Sequence, residues 1–256
     1  MRDPTTRFSD RVDNYVRFRP AYPDALVNTL INSCSLGRNS VVADIGSGTG
    51  IFTRQLLEKQ LQVIGVEPNR EMRQAAENLL SGYSLFTSVS GSAEDTHVAE
   101  GAVDLIVAAQ AFHWFRGNET KKEFLRILKA QGWVALIWNR RKMQQAFQQD
   151  YEALLREHAP EFETINHANI SDNVIAEFFA PNTYQKASFE NAQVFDKEGF
   201  LGRMQSSSYT PSADSPGYAK LMAAAEMLFA KYAEKGKLSF EYDTQMYLGR
   251  FSSGDY

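Results

Sequence analysis

A doubly wound α/β fold on a mostly parallel sheet is what this sequence predicts, and three observations carry it. Apolar runs alternate with helical ones from Val41 to Trp138: Val41–Ile45, Leu61–Val66, Leu85–Val89, Val103–Ala108 and Trp133–Trp138 read as strands, with stretches such as Ile51–Lys59 between them. Strands spaced in this way pair in parallel through right-handed crossovers, and helices cover both faces. The first strand runs into Asp44 and then Gly46-Ser47-Gly48-Thr49-Gly50, glycines at alternate positions directly before a helix. An acid, Glu67, ends the second strand about twenty residues later.

Each element follows in order. The glycine turn lets a ligand lie on bare main chain, because no Cβ blocks its approach. A dinucleotide fingerprint, G-x-G-x-x-G, does not fit, since Ile51 stands where its last glycine belongs. Glu67 can accept hydrogen bonds from both hydroxyls of a ribose, so a nucleoside ligand without that fingerprint is implied. Asn69 caps the helix after the second strand, with Glu71 in its first turn. Gly91-Ser92-Ala93-Glu94-Asp95 follows the third strand, and the fourth leads into Gln110-Ala111-Phe112-His113-Trp114-Phe115. Asn118 and Glu119 begin a helix that Leu128–Gly132 closes on its glycine.

After Trp138 the alternation breaks. Two helices are expected between residues 143 and 180, the second capped at Ser171-Asp172, and then a strand from Tyr184 to Glu190. Asp196 caps a short helix to Gln205, and Ser215-Pro216 opens a longer one that stops at Gly236. Leu238–Phe251 reads as a last strand bent near Asp243.

Together these residues resemble the class I S-adenosylmethionine-dependent methyltransferases, in particular the type-11-like enzymes acting on small molecules. The likeness covers roughly residues 8–139 in good motif order. It implies a seven-stranded, Rossmann-like sheet with its last strand antiparallel and a helical lid. It implies S-adenosyl-L-methionine as cofactor, its methionine part cradled by Asp44, Gly46, Ser47, Gly48 and Gly50, its ribose held by Glu67 beside Pro68, and its adenine met by Ser92, Ala93 and Glu94. Ala109 and Gln110 would border the transferring methyl, and His113 and Trp114 the acceptor. The opening pattern Phe8, Tyr15, Arg19-Pro20, Tyr22-Pro23 resembles the segment that folds over the cofactor in these enzymes. There Arg19 has the charge to pair the methionine carboxylate, and Tyr15 or Tyr22 can wall the sulfonium. The opening segment and the His-Trp pair are similar to those of trans-aconitate methyltransferases, which implies a small, anionic acceptor.

The expected organisation is a cofactor-covering segment (1–36), a cofactor-binding core (37–139), a helical lid and acceptor region (140–236) with a returning strand near 184–190, and a C-terminal strand (237–256). Within it, residues 140–180 and 200–236 would form the lid itself. Composition agrees with an enzyme. A net charge of −4 and a pI near 5.7 give no nucleic-acid surface. One cysteine, Cys34, excludes an internal disulfide, and neither a signal peptide nor a membrane-spanning run is read, so a cytoplasmic protein with no metal and no membrane partner is expected.

Three assignments have a bland counterpart. His113 is placed to act as a general base with a near-neutral pKa, yet packing the pocket floor is the preferred reading. Arg140-Arg141-Lys142 has the charge to steer an anionic acceptor, but a solvated face is the commoner meaning of such a run. His97, His158 and His167, with Phe178, Phe179, Tyr184 and Tyr209, read as surface, lid or core. Two other classes compete with methyl transfer to a small molecule: carbon methylation or cyclopropane formation on an acyl chain, and a non-catalytic cofactor-binding module.

Overall fold

The structure is a computed structural model and describes residues 16–165, 171–207 and 209–251. Tyr15, Phe8 and His167 of the sequence reading lie outside these residues. Helix α1 (Asp24–Ser33) precedes β1 (Val41–Ile45), α2 (Ile51–Glu58), β2 (Gln62–Val66), α3 (Arg70–Leu79), β3 (Phe86–Val89) and β4 (Val103–Ala109). A 3-10 turn (Phe112–Trp114), α4 (Gly117–Ile127) and β5 (Leu128–Arg141) complete the alternating half. Then come α5 (Ala146–His158), α6 (Phe162–Ile165), α7 (Asp172–Phe179), β6 (Tyr184–Phe195), α8 (Lys197–Gln205), α9 (Pro216–Tyr232) and β7 (Leu238–Gly249).

One seven-stranded sheet runs in the order β3-β2-β1-β4-β5-β7-β6, parallel except for β7, which is antiparallel to both neighbours. Side chains alternate across it. Ala43, Ile45, Ile106, Val134 and Leu136 face α4 and α7, while Val42, Leu105, Val107, Ala135 and Ile137 face α1, α2 and α3. Both faces are therefore buried, which is why β1, β4 and β5 read as continuous apolar runs.

Beyond the end of β5, β6 and β7 go on pairing with each other alone, from Ala192↔Glu241 to Phe195↔Leu238. This overhang carries Phe195, Leu238 and Phe240, with Tyr242 beside it, and on these α5, α8 and α9 pack through Phe147, Tyr151, Phe200, Met204, Leu221 and Phe229. The result is a helical cap with its own apolar core. Helix α7 is not part of it: Ile175, Phe178 and Phe179 pack into the core of the sheet, so residues 171–180 belong with the sheet rather than with the lid expected over 140–180.

Other local expectations also change. Helix α4 ends at Ile127, and Leu128 already pairs with Val103. Gly132 is thus no helix cap; it sits in a bulge between the Val103↔Leu128 and Leu105↔Trp133 pairs, where a Cβ would fall 2.5 Å from Leu128 Cδ2. The crossover from β3 to β4 contains no helix; the Thr96 N–H and hydroxyl donate to Glu123 Oε1 at 2.9 and 2.5 Å and pin it to α4. Strand β6 runs on to Phe195, and β7 pairs without a register break through Asp243, so the expected bend there is absent. The caps at Asn69, Ser171 and Asp196 each accept a backbone N–H as read.

Candidate functional site

The carboxyl ends of β1, β2 and β4 meet where the strand order reverses, the crevice in which open α/β sheets bind ligands. Gly46 and Ser47 N–H donate to Val66 O at 2.8 and 3.2 Å, Gly48 N–H to Glu67 Oε2 at 2.9 Å, and Gly50 N–H to Ser47 O at 2.9 Å. Four amides of the turn are thus engaged inside the protein. A phosphate-binding turn keeps its amides for the ligand. This one suits a ligand that packs along the main chain and places no phosphate there. Gly46 has φ +71°, and a Cβ on it would lie 2.6 Å from Ala111 Cβ. Gly50 has φ +82°, and a Cβ would lie 2.7 Å from Leu80 Cδ1, so its smallness serves the packing of α2 against the end of α3.

Two buried carboxylates flank the turn. Asp44 is 1% exposed; its Oδ2 accepts from Thr53 Oγ1 at 2.6 Å, while Oδ1 has no hydrogen-bond partner among the described residues. Burial pushes its pKa up to about 7, the Thr53 hydrogen bond opposing and the nearby Glu67 charge adding to the rise. Glu67 takes the Gly48 N–H on Oε2 and the Asn69 N–H on Oε1, both at 2.9 Å. Burial raises its pKa against those hydrogen bonds. Each of its oxygens keeps acceptor capacity for a further donor.

The loop after β3 is less available. Ser92 Oγ accepts from the N–H of Glu94 and of Asp95, both at 3.2 Å, and Ala93 is buried in the sheet's core. The Glu94 carboxylate accepts from Arg116 N–H at 2.8 Å and Thr120 Oγ1 at 3.3 Å, so it caps the start of α4. Pro68 lies between Glu67 and the Asn69 cap, its carbonyl 3.4 Å from Arg73 Nη1.

From the turn a cavity opens towards the cap. Asp44, Gly46, Ser47, Ala109 and Gln110 form one end, His113, Trp114 and Asn139 the middle, and Arg141, Arg203, Tyr209 and Tyr242 the other end. Arg19, Pro20 and Tyr22 cross it as a strap. Gln193 and Asn191 donate to the carbonyls of Phe18 and Ala21 at 3.2 and 2.9 Å, Gln55 donates to that of Tyr22 at 2.7 Å, and Arg19 Nη2 donates to Ser206 O at 2.7 Å. The strap therefore joins α2, the β6–β7 overhang and α8. Tyr22 packs edge-on against Phe52, ring centroids 4.8 Å apart.

His113 departs from the expectation of a near-neutral pKa. Burial, with the Arg19 charge adding to it, lowers its pKa to about 4, so the ring is neutral and weakly basic. Arg141 departs from the solvated-face reading: its side chain is only 9% exposed and lines the cavity. Arg203, Asn139 and Tyr242 line the same cavity without having been singled out from the sequence. Asn139 had one signal, its position at the end of the fifth apolar run; Arg203 had none.

The methyltransferase domain family matches residues 43–136, the span that holds the glycine turn, Glu67 and four strand ends. Over that span the chain carries a methyltransferase domain. Its relatives include an uncharacterized methyltransferase of Mycobacterium tuberculosis, 32% identical over 140 residues, 55% of each chain. An uncharacterized methyltransferase-like protein of Schizosaccharomyces pombe is 31% identical over 135 residues, 52% of each chain. The chain thus spans about half the length of the curated relatives it matches. Among solved structures, a protein of Anaeromyxobacter dehalogenans provisionally described as a type II methyltransferase superposes with a TM-score of 0.69 at 21% identity, covering 92% of this chain and 99% of that one. A phosphoethanolamine N-methyltransferase of Haemonchus contortus, solved with S-adenosyl-L-methionine, gives 0.57 at 14% identity, covering 96% of this chain and 57% of that one. These likenesses are of fold.

Proposed function

We propose that this protein transfers the methyl group of S-adenosylmethionine to a small, anionic acceptor seated under the helical cap. One observation carries the reading: the glycine turn with its orphaned Asp44 Oδ1 and the basic end of the cap face each other across a single cavity. The residues fit the cofactor. Glu67 has acceptors left for the ribose hydroxyls, the Gly46–Ser47 main chain offers a surface for the methionine part, and Asp44 Oδ1 is a ready acceptor for its ammonium group. Arg19 on the strap has the charge for its carboxylate, and Tyr22 bounds the same side. At the adenine, the Ser92 and Glu94 side chains and the Ser92 N–H, which donates to Asp95 O at 2.9 Å, are engaged elsewhere, so the Ser92 carbonyl and the Ala93 main chain are the better candidates.

When bound, the cofactor supplies an activated methyl for in-line displacement. The protein's part is to place the nucleophile and exclude water, which can lower such a barrier by roughly 7–11 kcal/mol. Ala109 and Gln110 end β4 beside the turn and line this passage, and His113 and Trp114 form its floor. His113 is a poor proton acceptor at its depressed pKa, which favours a positioning role and an acceptor that arrives ready to react. The arginines, tyrosines and Asn139 of the lining speak against a greasy tunnel for an acyl chain. No helix among the described residues is long and apolar enough to cross a membrane; a cytoplasmic location belongs to the same proposal. Methyl incorporation from labelled S-adenosylmethionine into pooled small metabolites tests it. Label in polar, acidic products supports the reading, label in lipid overturns the acceptor class, and tight cofactor binding with no turnover in any pool overturns the activity.

A further inference from the structure

Arg141 leaves the end of β5 and Arg203 leaves α8, and their side chains meet at the cap end of the cavity, with residue exposure of 5% at Arg203 and side-chain exposure of 9% at Arg141. Arg203 Nη1 donates to Ser207 Oγ at 3.1 Å, while its Nε has no hydrogen-bond partner among the described residues. Arg141 Nη1 donates to Tyr209 Oη at 3.3 Å. Among the described residues the nearest carboxylate to Arg141, Glu152, is 3.9 Å away and is shared with Arg156 at 2.5 Å. Tyr242 gives its hydroxyl hydrogen to Gln193 Oε1 at 3.0 Å, and Tyr151 offers Arg141 a ring face at 5.3 Å. Arg19 brings a third guanidinium to the lining, and His113 is neutral. Among the described residues, buried cation thus outweighs buried anion at this end of the cavity. Burying a charge without its counterpart is expensive, and an apolar residue would serve packing better.

We propose that Arg141 and Arg203 anchor an oxyanion of the acceptor, a carboxylate or a phosphate, and that the Tyr209 hydroxyl holds that place until the acceptor arrives. This rests on the methyl-transfer reading and names the acceptor chemistry within it. Guanidinium forks match oxyanions in geometry as well as charge, and the buried, unpartnered Nε–H of a cavity-lining arginine is a donor without an acceptor. Tyr209 supports the exchange. Burial alone would push its phenol up, but Arg141 and Arg203, with Ser207 and Arg19 adding, hold it down to about 7. Above that pH the empty site carries a phenolate between the arginines. When the acceptor's anion takes its place, the phenolate loses that support and takes a proton from solvent.

The test uses the full chain saturated with S-adenosylhomocysteine, titrated above neutral pH with glutarate, with inorganic phosphate and with uncharged glutaramide. Heats are read in two buffers of different protonation enthalpy, and tyrosinate absorbance is followed in parallel. The expected result is binding of glutarate or of phosphate but not of glutaramide, uptake of close to one proton, and loss of tyrosinate absorbance. Whichever of the two binds separates a carboxylate from a phosphate acceptor. Tyr209→Phe should abolish the proton uptake but keep the binding. Arg203→Met and Arg141→Lys should weaken it by about tenfold or more while leaving S-adenosylhomocysteine affinity within about threefold. Glutaramide binding as well as glutarate, no saturation by either oxyanion to about 10 mM, or an unchanged proton count in Tyr209→Phe overturns the proposal. Proton uptake by the unaltered protein decides the matter if the variants do not fold. Failure of S-adenosylhomocysteine itself to bind overturns the functional reading instead, and anion binding to the cofactor-free chain then still judges the anchor.

Discussion

Replacing Asp44 by asparagine should stabilise the cofactor-free protein at alkaline pH while weakening its grip on S-adenosylmethionine. The magnitude follows from burial. The Asp44 pKa is raised from 3.8 to about 7, so its ionised form is disfavoured in the fold. A raised folded pKa leaves stability untouched below the unfolded value and removes it as pH climbs towards the folded one. The loss is about 2 kcal/mol at about pH 5 and about 4 kcal/mol at about pH 8. The asparagine escapes this loss but trades a charged acceptor for a neutral one opposite Thr53, which gives back about 1 kcal/mol. A net gain of about 3 kcal/mol at about pH 8 corresponds to a rise in melting temperature of roughly 6–12 °C for a chain of this size, shrinking on acidification. Calorimetric titration should show S-adenosylmethionine affinity falling tenfold or more, as expected for loss of a charge-assisted contact worth about 1.5–3 kcal/mol. An Asp44→Asn protein that is less stable at every pH, or that binds the cofactor as well as the unaltered chain, would refute the reasoning.

Other outcomes follow from the same geometry. Glu67→Gln should lower cofactor affinity by about tenfold to a hundredfold, read by calorimetry, because its carboxylate already carries two main-chain hydrogen bonds and would take the ribose as well. Gly50→Ala combines a left-handed φ with a contact at 2.7 Å to Leu80 and should lower stability by about 2–4 kcal/mol in denaturant melts, with cofactor binding to the remaining folded protein largely kept. His113→Phe should leave the shape of the pH–rate profile between about pH 5 and 8 unchanged, since the unaltered ring stays neutral until about pH 4; loss of a limb in that range would give His113 a proton-transfer role. Tyr209 has a depressed folded pKa, so its contribution to stability grows as pH rises from about 7 towards about 10 and is lost as pH falls through about 7. The difference in melting temperature between the unaltered chain and Tyr209→Phe should widen over that window.

The sheet was legible because its strands are buried on both faces, so β1, β2, β4 and β5 stand out as apolar runs closed by Asp44, Glu67, Gln110 and Asn139. The turn was legible because its glycines answer steric demands that no other residue meets. The cap was not. Strand β6 buries only Phe195 among its residues, so its pattern does not mark the overhang on which α5, α8 and α9 assemble. Arg141 looked solvated because a charge run ordinarily is; only its pairing opposite Tyr242, next to that overhang, turns it inward. Arg203 enters the cavity through tertiary packing of α8, which leaves no local trace. Gly132 looked like a helix stop, yet it permits a bulge in which Leu128 is already a strand residue. Ser92 and Glu94 stand where adenine contacts were expected, and their side chains are taken by a local turn and by the start of α4.

The central claim is that the main chain of the first crossover, together with Asp44 and Glu67, holds S-adenosylmethionine. Equilibrium titration of the folded protein with S-adenosylhomocysteine tests it most directly. The account predicts one site per chain with a dissociation constant of about 1–100 µM, weakened in both Asp44→Asn and Glu67→Gln. A folded protein with no saturable binding, or binding indifferent to both substitutions, would contradict it.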